Sequence, residues 1–311
     1  MTGPRLVDIL EMVRSKIPEG KEAGAKAKFN LDKKAVAENL ETRYALPINR
    51  LKELSYFIDA ASTFCGRPEP TSNKGINLSA HDYQNMQQEQ IDELNIKFTA
   101  WAATHALREF VEFLNYYLLQ VYETCLLINL GSDEVGVKEM DEIFKKGADF
   151  EDKNLSERFA ELKKESGAHT EYRDELSSLY KARNIFAHFD GLIQKSDIEP
   201  DGTFKIKWPR NRYTLHRKSD GKEVRFDKVP KPFASEQYDK VSFQWFHGKR
   251  LISYSVGQKI QFSTTDLYEL NFFFMYVIDE IHAGVVNYAR SNNIPAREFK
   301  NYQVKLELNF R

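Results

Sequence analysis

One short polar segment of the chain combines two side-chain types that suit chemistry at a phosphate group. It reads RNIFAH and contains Arg183, Asn184 and His188. Histidine exchanges protons near neutral pH, which is what acid–base catalysis requires. Arginine presents a planar fork of N–H donors that stabilises phosphate charge. The segment is therefore the first candidate for a reactive site.

The residues around this segment predict a helix over 170–190, which Gly191 terminates. Asn184 and His188, four positions apart, lie together on one side of that helix. Arg183 and His188 are about 140° apart around the axis, with a rise of about 7.5 Å, so one copy does not form a compact catalytic pair. The opposite side is apolar and contains Leu179, Ala182, Ile185, Phe186 and Phe189.

Two long helices are predicted on either side of this segment in the chain. Segment 88–130 has a second half that is apolar nearly all round, which is typical of a central core helix. Segment 264–291 contains a further apolar stripe for the core. The remaining predicted elements are helices at 5–16, 32–62 (with Pro47 expected to break or kink it), 136–146 and 152–165, and a loop at 65–80.

Beyond residue 200 the pattern changes to alternation of period two, which predicts a small antiparallel sheet. One hairpin is expected over 203–227, with its turn at Ser219-Asp220-Gly221. A second is expected over 241–256, with its turn at His247-Gly248-Lys249. The tail YQVKLELNF is predicted to add a last strand.

Other signals for chemistry are weaker. The common phosphate-loop, dinucleotide-loop, serine-hydrolase, zinc-protease and calcium-loop signatures do not occur in the sequence. His105 and Glu109 have a spacing that two metal ligands can use, but one such pair is more typical of an ordinary surface or core pair. No metal site and no cofactor is therefore predicted.

The motif and the order of helices resemble the HEPN superfamily, whose pattern is a helical Arg, four to six residues and a His. Asn184 stands beside the Arg as in many members, and 170–190 follows the long helix 88–130 as the family's motif helix does. The looser match from Arg210 to His216 is discarded, because it lies on a predicted strand. The resemblance implies a mainly α fold, a HEPN-like helical bundle. Its expected parts are an N-terminal helical extension over 1–87 and a helical domain over 88–311, with a β-hairpin insertion at about 201–263.

The resemblance also implies a function, a metal-independent endoribonuclease that leaves a 2′,3′-cyclic phosphate. His188 is then the general acid/base, Arg183 stabilises phosphate charge and Asn184 organises the site. The substrate is RNA, two copies form a homodimer with a composite site, and the setting is toxin, abortive-infection or antiviral defence with an antitoxin or activating partner. Asp190 occupies the position of a family tyrosine used in nucleotide-transfer control, so that control is not expected.

Basic side chains of the first hairpin are candidates for RNA binding, together with the hairpin's aromatic residues. The alternative is a solvated hairpin face with its aromatic side chains packed underneath. The basic candidates are Lys207, Arg210, Arg212 and Lys218.

Other functions stay open on the sequence alone. A non-catalytic HEPN-like module that binds nucleotide or RNA is one alternative, and a helical protein-interaction domain is another. In a purely structural role, His188 caps its own helix and Arg183 pairs with Asp190 or Glu175. Within the long helix 88–130, Glu109, Glu112 and Glu123 are candidates for a further polar site residue.

Composition limits the class of protein. The formal net charge of -1 argues against a general nucleic-acid coat or a membrane-surface protein. The two cysteines, Cys65 and Cys125, lack zinc spacing and favour a reduced compartment. No apolar run of signal-peptide or membrane-spanning length occurs, so a cytoplasmic location away from membranes is expected.

Overall fold

The computed structural model describes residues 28–30, 33–63, 87–131, 134–217, 220, 223–226 and 238–297. The predicted elements at 5–16, 65–80 and the C-terminal tail lie outside these residues. The described residues form a mainly helical fold with a small antiparallel sheet, as predicted. Its helices are α1 (Lys33–Thr63), α2 (Gln88–Asn129), α3 (Val137–Glu151), α4 (Leu155–Ser166), α5 (Arg173–Phe189) and α6 (Thr264–Ser291). Its strands are β1 (Lys28–Asn30), β2 (Glu134–Gly136), β3 (Phe204–Arg217), β4 (Glu223–Phe226) and β5 (Tyr238–Tyr254).

The helix predictions agree with the structure to within a few residues. The motif helix α5 ends where Asp190 and Gly191 adopt positive φ angles of 50° and 77°. A side chain at Gly191 would bring its Cβ to 2.8 Å from the Phe186 ring, so this helix end favours glycine. Helix α1 continues through Pro47, so the chain does not break there, and the kink predicted as the other outcome stays a prediction. In the described part of the chain, no helix has the length and apolar content needed to cross a membrane.

The chain divides into two compact units. The first contains, among the described residues, 28–44, 116–169 and 281–297. Its core includes a stacked pair of rings, Tyr122 and Phe150, with centroids 4.1 Å apart. The division into an N-terminal extension over 1–87 and a helical domain over 88–311 stays a prediction.

The second unit contains the described residues of 45–115 and 170–280, and therefore the motif helix and the three-stranded sheet. The ring of Phe110 on α2 stacks on that of Phe274 on α6, with centroids 5.4 Å apart. The sheet packs against α5, where the Ser178 hydroxyl accepts a hydrogen bond of 3.1 Å from the Lys207 backbone N–H of β3. The core of this unit therefore positions the motif helix.

The three-stranded sheet has the order β4-β3-β5, and β3 is antiparallel to both neighbours. Strands β1 and β2 form a separate antiparallel pair in the first unit. The predicted hairpin over 241–256 is wrong, because β5 is one continuous strand that pairs with β3 from Phe204↔Tyr254 to Arg217↔Tyr238. Gly248 does not form a turn but lies opposite Arg210, next to a register shift at which β5 has two more residues than β3. Glycine within a strand is typical of such an irregularity.

One buried carboxylate connects the sheet to α6. Glu269 is 0% exposed and accepts hydrogen bonds of 2.7 and 2.8 Å from Arg250 on β5. It also accepts a 3.0 Å bond from the indole N–H of Trp208, a fully buried residue on β3. Asp266, one turn earlier on α6, lies 3.3 Å from the same guanidinium. A buried charge is tolerated only when it is paired and hydrogen-bonded, as this one is.

Glu269→Gln is expected to destabilise the protein by about 1.5–3 kcal/mol, because it weakens the charge-assisted hydrogen bonds of Arg250 although Asp266 stays 3.3 Å from the guanidinium. The shift of the urea unfolding midpoint measures this loss. The matched control is Glu53→Gln, which removes an exposed ion pair with Arg50 and should cost less than about 1 kcal/mol. Equal midpoint shifts in the two variants would contradict the importance of the buried carboxylate.

Candidate active site

Helix α5 presents the motif as its periodicity predicts. Leu179, Ala182 and Ile185 are buried on one side. Asn184 and His188 are exposed on the other side. The predicted apolar face is not complete, because Phe189 in the last turn is 47% exposed and Phe186 is half-buried.

Arg183 is held in place by two oxygen acceptors. Its Nη2 donates to a carboxylate oxygen of Glu112 on α2, and its Nη1 donates to the Asn184 side-chain oxygen at 3.2 Å. One turn earlier, the Tyr180 hydroxyl donates to the side-chain oxygen of Asn115, also on α2. The motif helix is therefore fixed to α2 by two polar contacts on adjacent turns.

The Arg183–Glu112 ion pair orients more than it stabilises. The Arg183 side chain is 29% exposed and that of Glu112 is 44% exposed, and ion pairs this accessible add little to stability. The Arg183 Nε is buried and has no hydrogen-bond partner among the described residues. Sequence alone left three glutamates of the long helix open as further site residues, and the structure places Glu112 beside the motif.

His188 differs from Arg183 in having no such restraint. Its imidazole is exposed and lies edge-on to the Phe189 ring, with centroids 6.3 Å apart. It makes no hydrogen bond to the described residues. The alternative role in which His188 caps its own helix is therefore wrong. The alternative partners proposed for Arg183 are also wrong, because Asp190 pairs with Lys259 and Glu175 pairs with Lys249.

The basic candidates of the first hairpin have different environments. Lys207 lies 3.3 Å from Asp174 on the motif helix. Arg210 is half-buried, and the side chain of Arg212 and the whole of Lys218 lie outside the described residues. Trp208 cannot serve as a stacking surface for RNA, because it is 0% exposed and bonded to Glu269. His216 lies on β3, as the sequence predicted for the discarded second match.

A pocket that the sequence did not indicate lies beside the motif helix. It has a volume of about 670 Å³, and residues 95–105 of α2 form one wall. The remaining lining includes Phe186, Asp190 and residues 259–262. Phe186 lies one turn beyond Arg183 on α5, and the pocket-lining His105 lies about two turns before Glu112 on α2, so the pocket borders the Arg183 side of the motif helix.

Comparisons with known proteins add no relative. No protein-family model, no curated protein and no solved structure matches the chain. The likeness to the HEPN superfamily therefore rests on the motif and on the order of helices.

Glu123 is not part of this site, although it was a candidate on the sequence. It belongs to the first unit, where it is 7% exposed. Burial raises the pKa of its carboxyl to about 7, and the nearby Arg43 charge offsets part of that rise. A Cβ added at Gly147 would lie 2.6 Å from the Glu123 carboxylate, so the carboxyl group is closely packed. Glu123 is therefore a structural residue with an unusual titration.

Glu123→Gln is expected to change how stability depends on pH. The folded-state pKa of about 7 lies above the ordinary 4.5. The protonated carboxyl therefore favours the folded state below pH 4.5, and this contribution is lost as the pH rises toward 7. The variant should gain stability relative to wild type across that window, by up to about 3 kcal/mol.

Urea unfolding of both proteins at several pH values measures this difference. Burial lowers the pKa of His282 to about 4, which makes stability rise with pH over an overlapping range. That opposing effect is common to both proteins, so it cancels when they are compared. Parallel stability curves for the two proteins would show that Glu123 titrates normally.

Proposed function

We propose that this chain is a metal-independent endoribonuclease whose reactive groups are His188 and Arg183. One observation carries the proposal: Arg183 is held by Glu112 and Asn184, while His188 on the same helix is exposed and has no hydrogen bond to the described residues. A fixed cation suits a phosphate, and an accessible imidazole suits proton transfer. The HEPN-like motif supports the same assignment.

The proposed reaction uses the RNA itself as the nucleophile. A basic group removes the proton of the 2′-hydroxyl, and the 2′ oxygen forms a bond to the neighbouring phosphorus. The bond from phosphorus to the 5′ oxygen breaks, and an acidic group protonates that oxygen. His188 supplies proton transfer and Arg183 stabilises the charge that builds on the phosphate oxygens. The products are a 2′,3′-cyclic phosphate and a free 5′-hydroxyl, and DNA is excluded because it lacks the nucleophile.

Two copies complete the site in this proposal. Arg183 and His188 are five positions apart on α5, which gives a rise of about 7.5 Å and an angular separation of about 140°. A second motif helix, related by a two-fold axis, places the His188 of one copy near the Arg183 of the other. A role in toxin or antiviral defence, with an antitoxin or activating partner, follows from the resemblance alone, and a cytoplasmic location is part of the same proposal.

A non-catalytic module that binds nucleotide or RNA is the second candidate. The observation in its favour is that one N–H donor of Arg183, at Nη2, is already bonded to the Glu112 carboxylate. That donor is then not available to stabilise a phosphate during cleavage. RNA binding without cleavage by the purified protein would support this candidate over the ribonuclease.

His188→Ala and Arg183→Ala should each reduce RNA cleavage by about 10²–10⁴-fold, because each removes one of the proposed reactive groups. Both side chains lie off the buried face of α5, so the folded state should survive. The measurement is cleavage of total RNA in EDTA, with analysis of the fragment ends and circular dichroism of each variant.

The control variant is His216→Ala, which alters the discarded second match on β3 and should leave the cleavage rate unchanged. DNA of the same sequence should remain intact. The ribonuclease proposal fails if EDTA abolishes cleavage, or if His188→Ala cuts RNA at the wild-type rate.

The dimer can be tested separately. Light scattering at micromolar concentration should give twice the chain mass. Mixing inactive Arg183→Ala and His188→Ala chains should restore part of the activity, because a mixed dimer holds one site with both groups intact. A fully active monomer would contradict the composite site.

A further inference from the structure

Three aromatic rings form a row along one face of α2. Phe98 and Trp101 stack with centroids 5.9 Å apart and an interplanar angle of 22°. Trp101 and His105 follow with centroids 4.1 Å apart. Spacings of three and four residues place these side chains on the same helix face. The His105 ring is further held by a 3.0 Å hydrogen bond between its Nδ1 and the Trp101 carbonyl oxygen.

The row is open to solvent. Trp101 is 56% exposed and Phe98 is 40% exposed, although both are large apolar side chains. Trp101 and His105 also line the 670 Å³ pocket beside the motif helix. Its volume falls in the range of sites that hold small ligands or parts of larger ones. An accessible flat ring at the mouth of such a pocket suits stacking against another flat ring.

Two lysines line the same pocket, Lys97 and Lys259. Lys97 pairs with Glu93 on α2, and both side chains are more than 60% exposed. Lys259 pairs with Asp190, and these side chains are 55% and 89% exposed. Ion pairs this exposed are weak, so a phosphate can replace either acid as the partner of a lysine.

We propose that this pocket binds an unpaired nucleobase of single-stranded RNA, stacked on Trp101, while Lys97 and Lys259 contact the adjoining phosphates. Rings together with lysines match the flat, apolar bases and the anionic backbone of a single strand. A purely apolar peptide would leave both lysines without a role. Asn95, Thr104 and Gln261 also line the pocket and supply polar groups for a base edge.

This inference rests on the proposed function and specifies its substrate. Phe186, which lines the pocket, lies one turn from Arg183 on α5, on the side of the helix away from His188. A base held there places the adjoining phosphodiester beside the Arg183 side of the motif helix. Unpaired RNA is therefore the expected substrate, because a paired base cannot leave its stack without added cost.

The binding test uses the full chain in a His188→Ala background, so that RNA stays intact. Fluorescence anisotropy of a labelled oligouridine measures affinity. Trp101→Ala should weaken binding by roughly 5- to 150-fold, the range for loss of one base–ring stack. Trp101→Phe should retain most of the affinity because it keeps a flat ring. The matched control is Phe57→Ala, an aromatic residue that is 60% exposed on α1 and does not line the pocket.

Two further ligands identify what the pocket recognises. An abasic RNA of equal length should bind weakly to the His188→Ala protein that keeps Trp101. Its affinity should be about that of oligouridine for the Trp101→Ala variant. Uridine monophosphate should bind much more weakly than the oligonucleotide. The inference is overturned if Trp101→Ala binds oligouridine normally, if abasic RNA binds as tightly, or if the mononucleotide binds as well as the strand.

A cleavage assay separates this inference from the proposed function. With His188 present, Trp101→Ala should slow cleavage at low RNA concentration and approach the wild-type rate at saturating RNA. Trp101-dependent binding without any cleavage would contradict the ribonuclease and leave the base pocket standing. Cleavage that is equally fast in Trp101→Ala at low RNA concentration would leave the ribonuclease standing and remove the base pocket.

Discussion

The second unit depends on the fully buried carboxylate of Glu269. Its charge has no access to water, so it needs the hydrogen bonds from Arg250 and Trp208 that the sheet supplies. Those bonds join α6 to β3 and β5. The sheet then holds the motif helix through Lys207, whose backbone N–H donates to the Ser178 hydroxyl. The buried charge is therefore connected, through the sheet, to the helix that carries the candidate site.

Two arginines of this unit illustrate how exposure decides what an ion pair does. Arg250 meets a carboxylate that is 0% exposed, and breaking that pair removes two charge-assisted hydrogen bonds from a site with little access to water. Arg183 meets Glu112, whose side chain is 44% exposed, so water can replace either partner. The first pair stabilises the fold. The second orients a guanidinium that remains accessible to an incoming phosphate.

The candidate site combines a fixed cation, an accessible imidazole and a neighbouring ring-lined pocket. Restraint of Arg183 lowers the cost of placing its charge against a phosphate. Exposure of His188 leaves its ring nitrogens available for proton transfer. The pocket adds the flat surface of Trp101, which carries no reactive group but can select the form of the substrate. In the proposed function, α5 supplies the reactive groups and α2 supplies the recognition surface.

The sequence by itself determined the local structure, because helix periodicity and helix ends depend on neighbouring residues. It predicted 88–130, 170–190 and 264–291 closely, together with the stop of the motif helix at Gly191 and the exposure of Asn184 and His188. Contacts between distant residues were decided only by the tertiary structure. Glu112 reaches Arg183 across 71 positions, and Trp208 reaches Glu269 across 61. The turn expected at Gly248 became part of a long strand because β3 supplies partners on both sides of that position, and strand pairing is a property that no local pattern contains.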